Sequence, residues 1–126
     1  MRRTTILVMA VAMLMVALSG VALAATRSGT SSGETLTGTP GTDTIRAYGG
    51  NDLVRALGGS DRLYGGYGQD RLYGGYGDDH IVSRDLNNRG IGQRDVVDCG
   101  PGYDTFAADY EDRVLDNCEE GVVSGF

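Results

Sequence analysis

Five aspartates recur at a fixed spacing of nine residues, and their carboxylates are the side chains of this sequence best suited to do chemistry together. They are Asp43, Asp52, Asp61, Asp70 and Asp79. Glu34 lies at the same phase one step earlier, so a weaker unit opens the series. A period held this long indicates an internal repeat, which decides the fold before any local pattern does.

Six units of nine residues cover residues 29–82. In order they are GTSSGETLT, GTPGTDTIR, AYGGNDLVR, ALGGSDRLY, GGYGQDRLY and GGYGDDHIV. Position four is Gly in five of these six units, position six is acidic, and position eight is always aliphatic. Solvated acids in glycine-rich turns are the alternative, because Asp is common in turns. The fixed phase of the acids against both the glycines and the aliphatic residues argues against it.

The pattern within one unit predicts a turn followed by a short strand. Glycine tolerates positive φ, so the first half can turn tightly, and the last three positions alternate outward, inward and outward as a strand does. Successive units then stack into two parallel sheets around a thin core, with two units in one full coil. The sequence therefore predicts an all-β fold, a parallel β-roll or β-solenoid. The expected core residues are Leu36, Ile45, Val54, Leu63, Leu72, Ile81, Val97, Phe106 and Val114.

Stacking places the acids of alternate units over one another, Asp43 over Asp61 over Asp79 on one side and Asp52 over Asp70 on the other. Carboxylates spaced by roughly 4.8 Å repel one another unless a cation lies between them. Carboxylate and carbonyl oxygens in an irregular arrangement suit Ca²⁺ better than Mg²⁺, which demands a strict octahedron. Because the aliphatic core is thin, we expect the coil to need its ions in order to fold.

The last two units, residues 65–73 and 74–82, follow the pattern G-G-x-G-x-D-x-U-x at every defined position, where U is a large apolar residue. This pattern resembles the calcium-binding repeat of the RTX, or haemolysin-type, family. The third and fourth units depart from it, with Ala47-Tyr48 and Ala56-Leu57 where paired glycines belong. We expect this departure to affect the local turn geometry and not the architecture.

The resemblance implies how the ions are held and what the chain does. Each Ca²⁺ takes the position-six carboxylates of two neighbouring loops on one side, together with turn carbonyls, which gives about three or four ions. The implied function is calcium binding without catalysis. The expected pairs are Asp43/Asp61, Asp61/Asp79, Asp52/Asp70 and, more weakly, Glu34/Asp52.

The period fails over residues 83–94, whose composition is that of a loop insertion, and returns in residues 95–126 as degenerate repeats and a C-terminal cap. Asp95 and Asp104 are weaker candidate ligands because the loop can displace their partners. Small exported proteins of this family often close with a similar Cys-Gly-Pro-Gly segment and a second Cys. The resemblance implies a Cys99–Cys118 disulfide, with two free thiols as the alternative.

The N-terminal segment has the pattern of an export signal. Arg2 and Arg3 precede an apolar run, and Ala22-Leu23-Ala24 has the small-x-small spacing of a cleavage site. We expect residues 1–24 to be a signal peptide and the product to be secreted. A membrane anchor is the alternative, but the run is short for the roughly 20 residues that a span needs. Both the general and the twin-arginine export routes remain open.

Charge and composition exclude several other classes of protein. The chain of 126 residues has 17 acids against 11 Arg, no Lys and a formal charge of −6, which disfavours nucleic-acid binding. No G-x-S-x-G or H-E-x-x-H motif occurs, so we expect no enzyme. His80 is interpreted as an exposed strand residue. Ala25 to Ser28 is expected to be a stub ahead of the repeats.

The outward-facing positions carry Tyr and Arg in register. Stacking places Arg46 beside Tyr64 and Arg55 beside Tyr73, where cation–π contacts are expected. A soluble sheet face is the simplest interpretation. An adhesin or matrix component that presents this Tyr/Arg face to extracellular polysaccharide is an alternative function. A remnant or accessory module of a secreted hydrolase is a further one, but no segment is left over for a catalytic domain.

Overall fold

A computed structural model describes residues 23–85 and 93–124. Within these residues the chain is all strand and turn, with eleven short strands in two parallel sheets. The predicted signal peptide falls almost wholly outside the described residues. Residues 86–92 of the predicted loop insertion also lie outside them. None of the described segments is a helix long and apolar enough to cross a membrane. The predicted all-β fold, a β-solenoid, is confirmed.

Alternate strands belong to alternate sheets, as the two units per coil require. The odd-strand sheet has the order β1 (Thr26–Ser28), β3 (Thr44–Arg46), β5 (Arg62–Tyr64), β7 (His80–Val82), β9 (Thr105–Asp109) and β11 (Glu120–Ser124). The even-strand sheet has the order β10 (Arg113–Val114), β8 (Val96–Asp98), β6 (Arg71–Tyr73), β4 (Leu53–Arg55) and β2 (Thr35–Thr37). Every pairing is parallel, because each strand is reached after a full coil.

The register of the sheets is constant before the predicted loop. Ile45 pairs with Leu63 and Leu63 with Ile81, so partners are eighteen residues apart. Across the loop the separation becomes 25 residues, as between Leu72 and Val97. The extra residues therefore lie between β7 and β8 and leave the strands aligned.

The core is the predicted column of position-eight side chains. Six of them are fully buried, namely Ile45, Val54, Leu63, Leu72, Ile81 and Val97. At the ends of the stack the column is less covered, since Leu36 and Val114 are partly buried and Phe106 is half-buried against Gly121 of β11. Because this core is thin, the stability of the fold depends on the interactions made at the edges of the coil.

Position one also contributes to the core, which the sequence pattern did not predict. Ala47, Ala56 and Cys99 are fully buried beside the aliphatic column. The coil also begins earlier than expected. The predicted stub forms β1, in which Arg27 pairs with Ile45 of β3.

The turns of the third and fourth units have the same backbone geometry as those of the perfect repeats, contrary to expectation. Position two is left-handed in all of them, with φ of +70° at Tyr48 and +80° at Leu57, against +84° at Gly66 and +88° at Gly75. A side chain in that region costs roughly 1–2 kcal/mol. The stacked rungs on either side therefore impose the turn on Tyr and Leu.

The C-terminal end of the coil is closed by a disulfide, as predicted. Cys99 and Cys118 are bonded, with their Cα atoms 5.3 Å apart. Cys99 follows β8 and belongs to the core, while Cys118 packs against that core from the last loop. β11 then pairs with β9 over five residues and extends the odd-strand sheet beyond the last predicted rung.

Candidate metal centre

Two columns of buried carboxylates run along the edges of the coil. Each aspartate comes directly before a strand, so the stacking of the strands stacks the acids too. The first column holds Asp43, Asp61, Asp79 and Asp104, and the second holds Asp52, Asp70 and Asp95. All seven are at most 3% exposed. Acidic side chains are rarely buried to this extent without a partner, so these columns form the candidate site.

One oxygen of each carboxylate is engaged in a ladder of hydrogen bonds between rungs. The backbone N–H of Asp43 donates to Oδ1 of Asp61 at 2.7 Å, and that of Asp61 donates to Oδ1 of Asp79 at 2.9 Å. The ladder continues across the predicted loop, because Asp70 and Asp79 donate to Asp95 and Asp104, each at 2.7 Å. The loop therefore does not displace these two weaker candidates from the columns.

The second oxygen of most of these carboxylates has no hydrogen-bond partner. Oδ2 is buried and unpartnered in Asp52, Asp61, Asp70, Asp79, Asp95 and Asp104. A buried oxygen without a donor costs roughly 1–3 kcal/mol, and more when it is charged. A row of such oxygens is a cradle for cations, and hard oxygen ligands fit Ca²⁺.

The two N-terminal acids differ, because a threonine at position two of the same unit donates hydrogen bonds to each of them. Thr39 donates its N–H to Oδ2 of Asp43 at 2.6 Å and its hydroxyl to Oδ1 at 2.8 Å. Thr30 donates its N–H to Oε1 of Glu34 at 2.7 Å, and its hydroxyl contacts the same oxygen. In these rungs threonine donates hydrogen bonds to the carboxylate, whereas in the later rungs one carboxylate oxygen is left for a cation.

Burial dominates the electrostatics of the columns. Burial first, and neighbouring carboxylates after it, raise the pKa of Asp70 and of Asp79 to about 7, even though backbone hydrogen bonds partly offset the effect. The same cause raises the pKa of Asp61 to about 6 and that of Asp95 to about 8. Near neutral pH the carboxylates of the columns therefore take up protons, or bind a cation in their place.

Side chains alone do not complete a coordination shell. In residues 23–85 and 93–124 no three His, Cys, Asp or Glu side chains are grouped to hold an ion. An ion bound to Oδ2 would therefore need backbone carbonyls as well, as the resemblance implies. A cleft of about 530 Å³ is lined by Glu34, Asp52 and Asp70 beside the second column.

The columns extend further towards the C-terminus than the sequence pattern indicated. Oδ1 of Asp112 accepts from the N–H of Asp95 at 3.0 Å, and Oε2 of Glu119 accepts from that of Asp104 at 2.8 Å. Asp112 can be recognised from the sequence as a position-six acid, because Arg113 and Val114 after it repeat the strand pattern. Glu119 has no such signal, since it lies outside the period.

The outward face of the odd-strand sheet carries one of the two predicted cation–π contacts. The guanidinium carbon of Arg46 lies 5.1 Å from the centroid of the Tyr64 ring. Arg55 and Tyr73 are in register on the even-strand sheet, but no such contact joins them in the described structure. His80 is exposed on β7, as predicted, with Nδ1 2.8 Å from Oγ1 of Thr105.

A family comparison agrees with this geometry. The family described as the RTX calcium-binding nonapeptide repeat, in four copies, matches residues 28–63 and 55–89. Residues 28–89 therefore contain RTX calcium-binding repeats, as the nine-residue pattern predicted. Neither the search of curated proteins nor the search of solved structures finds a match.

Proposed function

We propose that this chain is a secreted calcium-binding protein that folds when Ca²⁺ binds and catalyses no reaction. The observation that carries the proposal is the row of buried Oδ2 atoms without partners, set in repeats of a calcium-binding family. Calcium supplies the positive charge that lets these carboxylates remain ionised at close range. The chain supplies the ladder that holds each carboxylate in place.

The unpartnered oxygens favour some of the predicted pairs over others. We propose that Asp61/Asp79 and Asp52/Asp70 hold ions, because all four side chains have an unpartnered Oδ2. Asp70/Asp95 and Asp79/Asp104 meet the same condition beyond the predicted loop, for a total of about four ions. Asp43/Asp61 and Glu34/Asp52 are weaker, because threonine already satisfies one partner of each pair.

Secretion and the lack of catalysis are separate parts of the proposal. Secretion is supported by the signal-like N-terminus and by the Cys99–Cys118 disulfide, since disulfides persist in oxidising compartments. The non-catalytic role is supported by His80, the single histidine, which is exposed on a sheet face and hydrogen-bonded to Thr105. Intact mass of the protein from the culture medium tests cleavage after Ala24.

A calcium titration followed by circular dichroism and calorimetry tests the main proposal. We expect a disordered spectrum in chelator, a cooperative gain of β-structure at roughly 0.1–1 mM Ca²⁺, and a poor response to Mg²⁺. Calorimetry then counts the ions. The same folded spectrum in excess chelator as in calcium would show that the columns need no metal.

Presentation of a Tyr/Arg face to extracellular polysaccharide is a second candidate function. The contact of Arg46 over Tyr64 favours it, because it orders an aromatic and cationic pair on the exposed face of one sheet. A pull-down of the protein with cell-wall polysaccharide, with and without chelator, tests this function.

A further inference from the structure

The odd-strand sheet carries a cavity that the calcium sites do not use. It has a volume of about 330 Å³ and is lined chiefly by Arg46, Tyr48, Tyr64, Tyr67, Val82 and Arg84. These residues belong to three successive rungs of one sheet, at the end of each strand and the start of the next turn. The cavity therefore runs along the axis of the coil, over roughly 10 Å at about 4.8 Å per rung.

Backbone contacts hold together the turns that carry two of the tyrosines of this cavity. Tyr48 is held at a φ of +70°, and its carbonyl accepts a hydrogen bond of 2.7 Å from the N–H of Tyr67. Gly49 and Tyr67 form a parallel bridge that ties the two turns together. Tyr48 is 53% exposed and Tyr67 is 44% exposed, so both offer ring surface to a ligand.

Two arginines, Arg46 and Arg84, are among the residues that line the cavity of an otherwise acidic protein. Arg46 lies over the ring of Tyr64, which holds its side chain in place. Nε of Arg84 is buried and has no hydrogen-bond partner among the described residues. Guanidinium groups pair with planar carboxylates through parallel hydrogen bonds, so the charge of the cavity fits a carboxylate.

We propose that this cavity binds a sugar chain bearing carboxylates, that is, a polysaccharide containing uronic acid. The tyrosine rings provide flat amphipathic surfaces for sugar rings, and the two arginines select the carboxylate. An elongated cavity across three rungs suits a linear chain better than a compact ligand. This inference deepens the second candidate function and rests on it, whereas it is independent of which aspartates bind calcium.

Binding of hyaluronan oligosaccharides, which alternate a uronic acid with a neutral sugar, tests the proposal. Calorimetry on the calcium-loaded wild type should detect binding, and chitin oligosaccharides of equal length should bind at least about tenfold more weakly. Arg84→Ala and Tyr67→Ala should each weaken hyaluronan binding by about tenfold or more. The matched controls are Arg55→Ala and Tyr73→Ala, which remove a pair of the same type from the other sheet and should leave binding unchanged.

Three results would overturn the proposal. They are equal affinity for the charged and neutral oligosaccharides, equal loss in the control variants, and no binding by the wild type. Tighter binding of a sulfated oligosaccharide than of hyaluronan would show that the cavity selects a sulfate instead. The calcium-induced circular dichroism of each variant serves as the folding check, so failure of this proposal is distinguishable from failure of calcium binding.

Discussion

Thr39 holds both carboxylate oxygens of Asp43, one through its N–H at 2.6 Å and the other through its hydroxyl at 2.8 Å. Asp61, one coil later, has Leu57 at the equivalent place in its unit, and its Oδ2 has no partner. The residue at position two therefore separates rungs that satisfy their own acid from rungs that need a cation.

Asp61→Ala should impair calcium-dependent folding more than Asp43→Ala. Asp61 has an unpartnered oxygen and neighbours in both directions, whereas Asp43 is satisfied by threonine near the end of its column. We expect Asp61→Ala to raise the calcium midpoint by at least about tenfold, equivalent to about 1.4 kcal/mol, and Asp43→Ala to raise it by less. Calcium titrations of both variants by circular dichroism measure this. Equal shifts would contradict the distinction between the two kinds of rung.

Removal of the signal peptide should stabilise the first rung. The backbone nitrogen of Ala25 donates to Oδ1 of Asp43 at 2.8 Å. Cleavage after Ala24 makes this nitrogen a charged amino group, and charge-assisted hydrogen bonds are roughly twice as strong as neutral ones. We expect N-terminal acetylation of the mature protein to lower its stability by about 1 kcal/mol in calcium, measured by urea unfolding. In Asp43→Asn the same acetylation should have a smaller effect, and a loss of equal size would argue against this pair.

Without metal, the protein should hold more β-structure in mild acid than at alkaline pH. Burial raises the pKa of Asp70 and Asp79 to about 7 and that of Asp95 to about 8. Because these values lie above the ordinary pKa of Asp, the stability they contribute is fully present below about pH 4 and is lost progressively as the pH rises to about 8. Circular dichroism of metal-free protein at about pH 5 and about pH 8 measures the difference.

Calcium should reverse this pH dependence, because the ion and the proton compete for the same carboxylates. The calcium affinity should therefore rise over the interval in which the metal-free fold is lost. A metal-free spectrum that does not change with pH would contradict the role assigned to the buried columns.

Gly68→Ala should destabilise the coil strongly, whereas Gly58→Ala should not. Gly68 has a φ of +119°, and an added Cβ would collide with the carbonyl oxygen of Gly50 in the rung below. The Cβ of an alanine at position 58 would meet its nearest atom, the carbonyl oxygen of Pro40, at 3.6 Å. We expect a loss of about 3 kcal/mol or more for Gly68→Ala and a change within about 1 kcal/mol for Gly58→Ala, from urea unfolding in calcium. Similar losses in both variants would refute this account of the turns.

Opening the disulfide should weaken the C-terminal end of the coil. Cys99 and Cys118 are 19 residues apart, and closing a loop of about this length stabilises by roughly 3 kcal/mol. The Cys99→Ala/Cys118→Ala double variant in saturating calcium should lose stability by that amount in urea unfolding. Wild-type protein treated with reductant is the matched control and should behave alike. Unchanged unfolding midpoints in both would show that β11 and the core close this end without the bond.

The sequence predicted the periodic part of the molecule well because one nine-residue rule fixes strand, turn and acid together. Ile45, Leu63 and Ile81 are buried in register, and the aspartates before their strands stack as expected. The rule is physical: every unit has an inward aliphatic residue and alternate units share a sheet, which leaves one way to pair the strands. The predicted ligand pairs themselves stay a prediction.

The parts that the sequence did not predict are those that depend on neighbouring rungs. The left-handed turns at Tyr48 and Leu57 contradict local preference and follow from the rungs stacked around them. The burial of Ala47 and the threonine contacts of Asp43 depend on side-chain directions that spacing alone does not give. Glu119 completes a column from outside the repeat, so no periodic signal points to it.

The longer connection between β7 and β8 shows how this protein can change in length during evolution. The register resumes at Val97 after a separation of 25 residues, so the coil accepts additional residues at a corner without moving any strand. Inserting a pair of units would add one coil of about 4.8 Å and keep every acid in its column. A single inserted unit would instead move the capping segment from one sheet to the other and separate Cys99 from the end it closes. Duplications in pairs are therefore the insertions this architecture tolerates in its strands, whereas its corners tolerate insertions of irregular length.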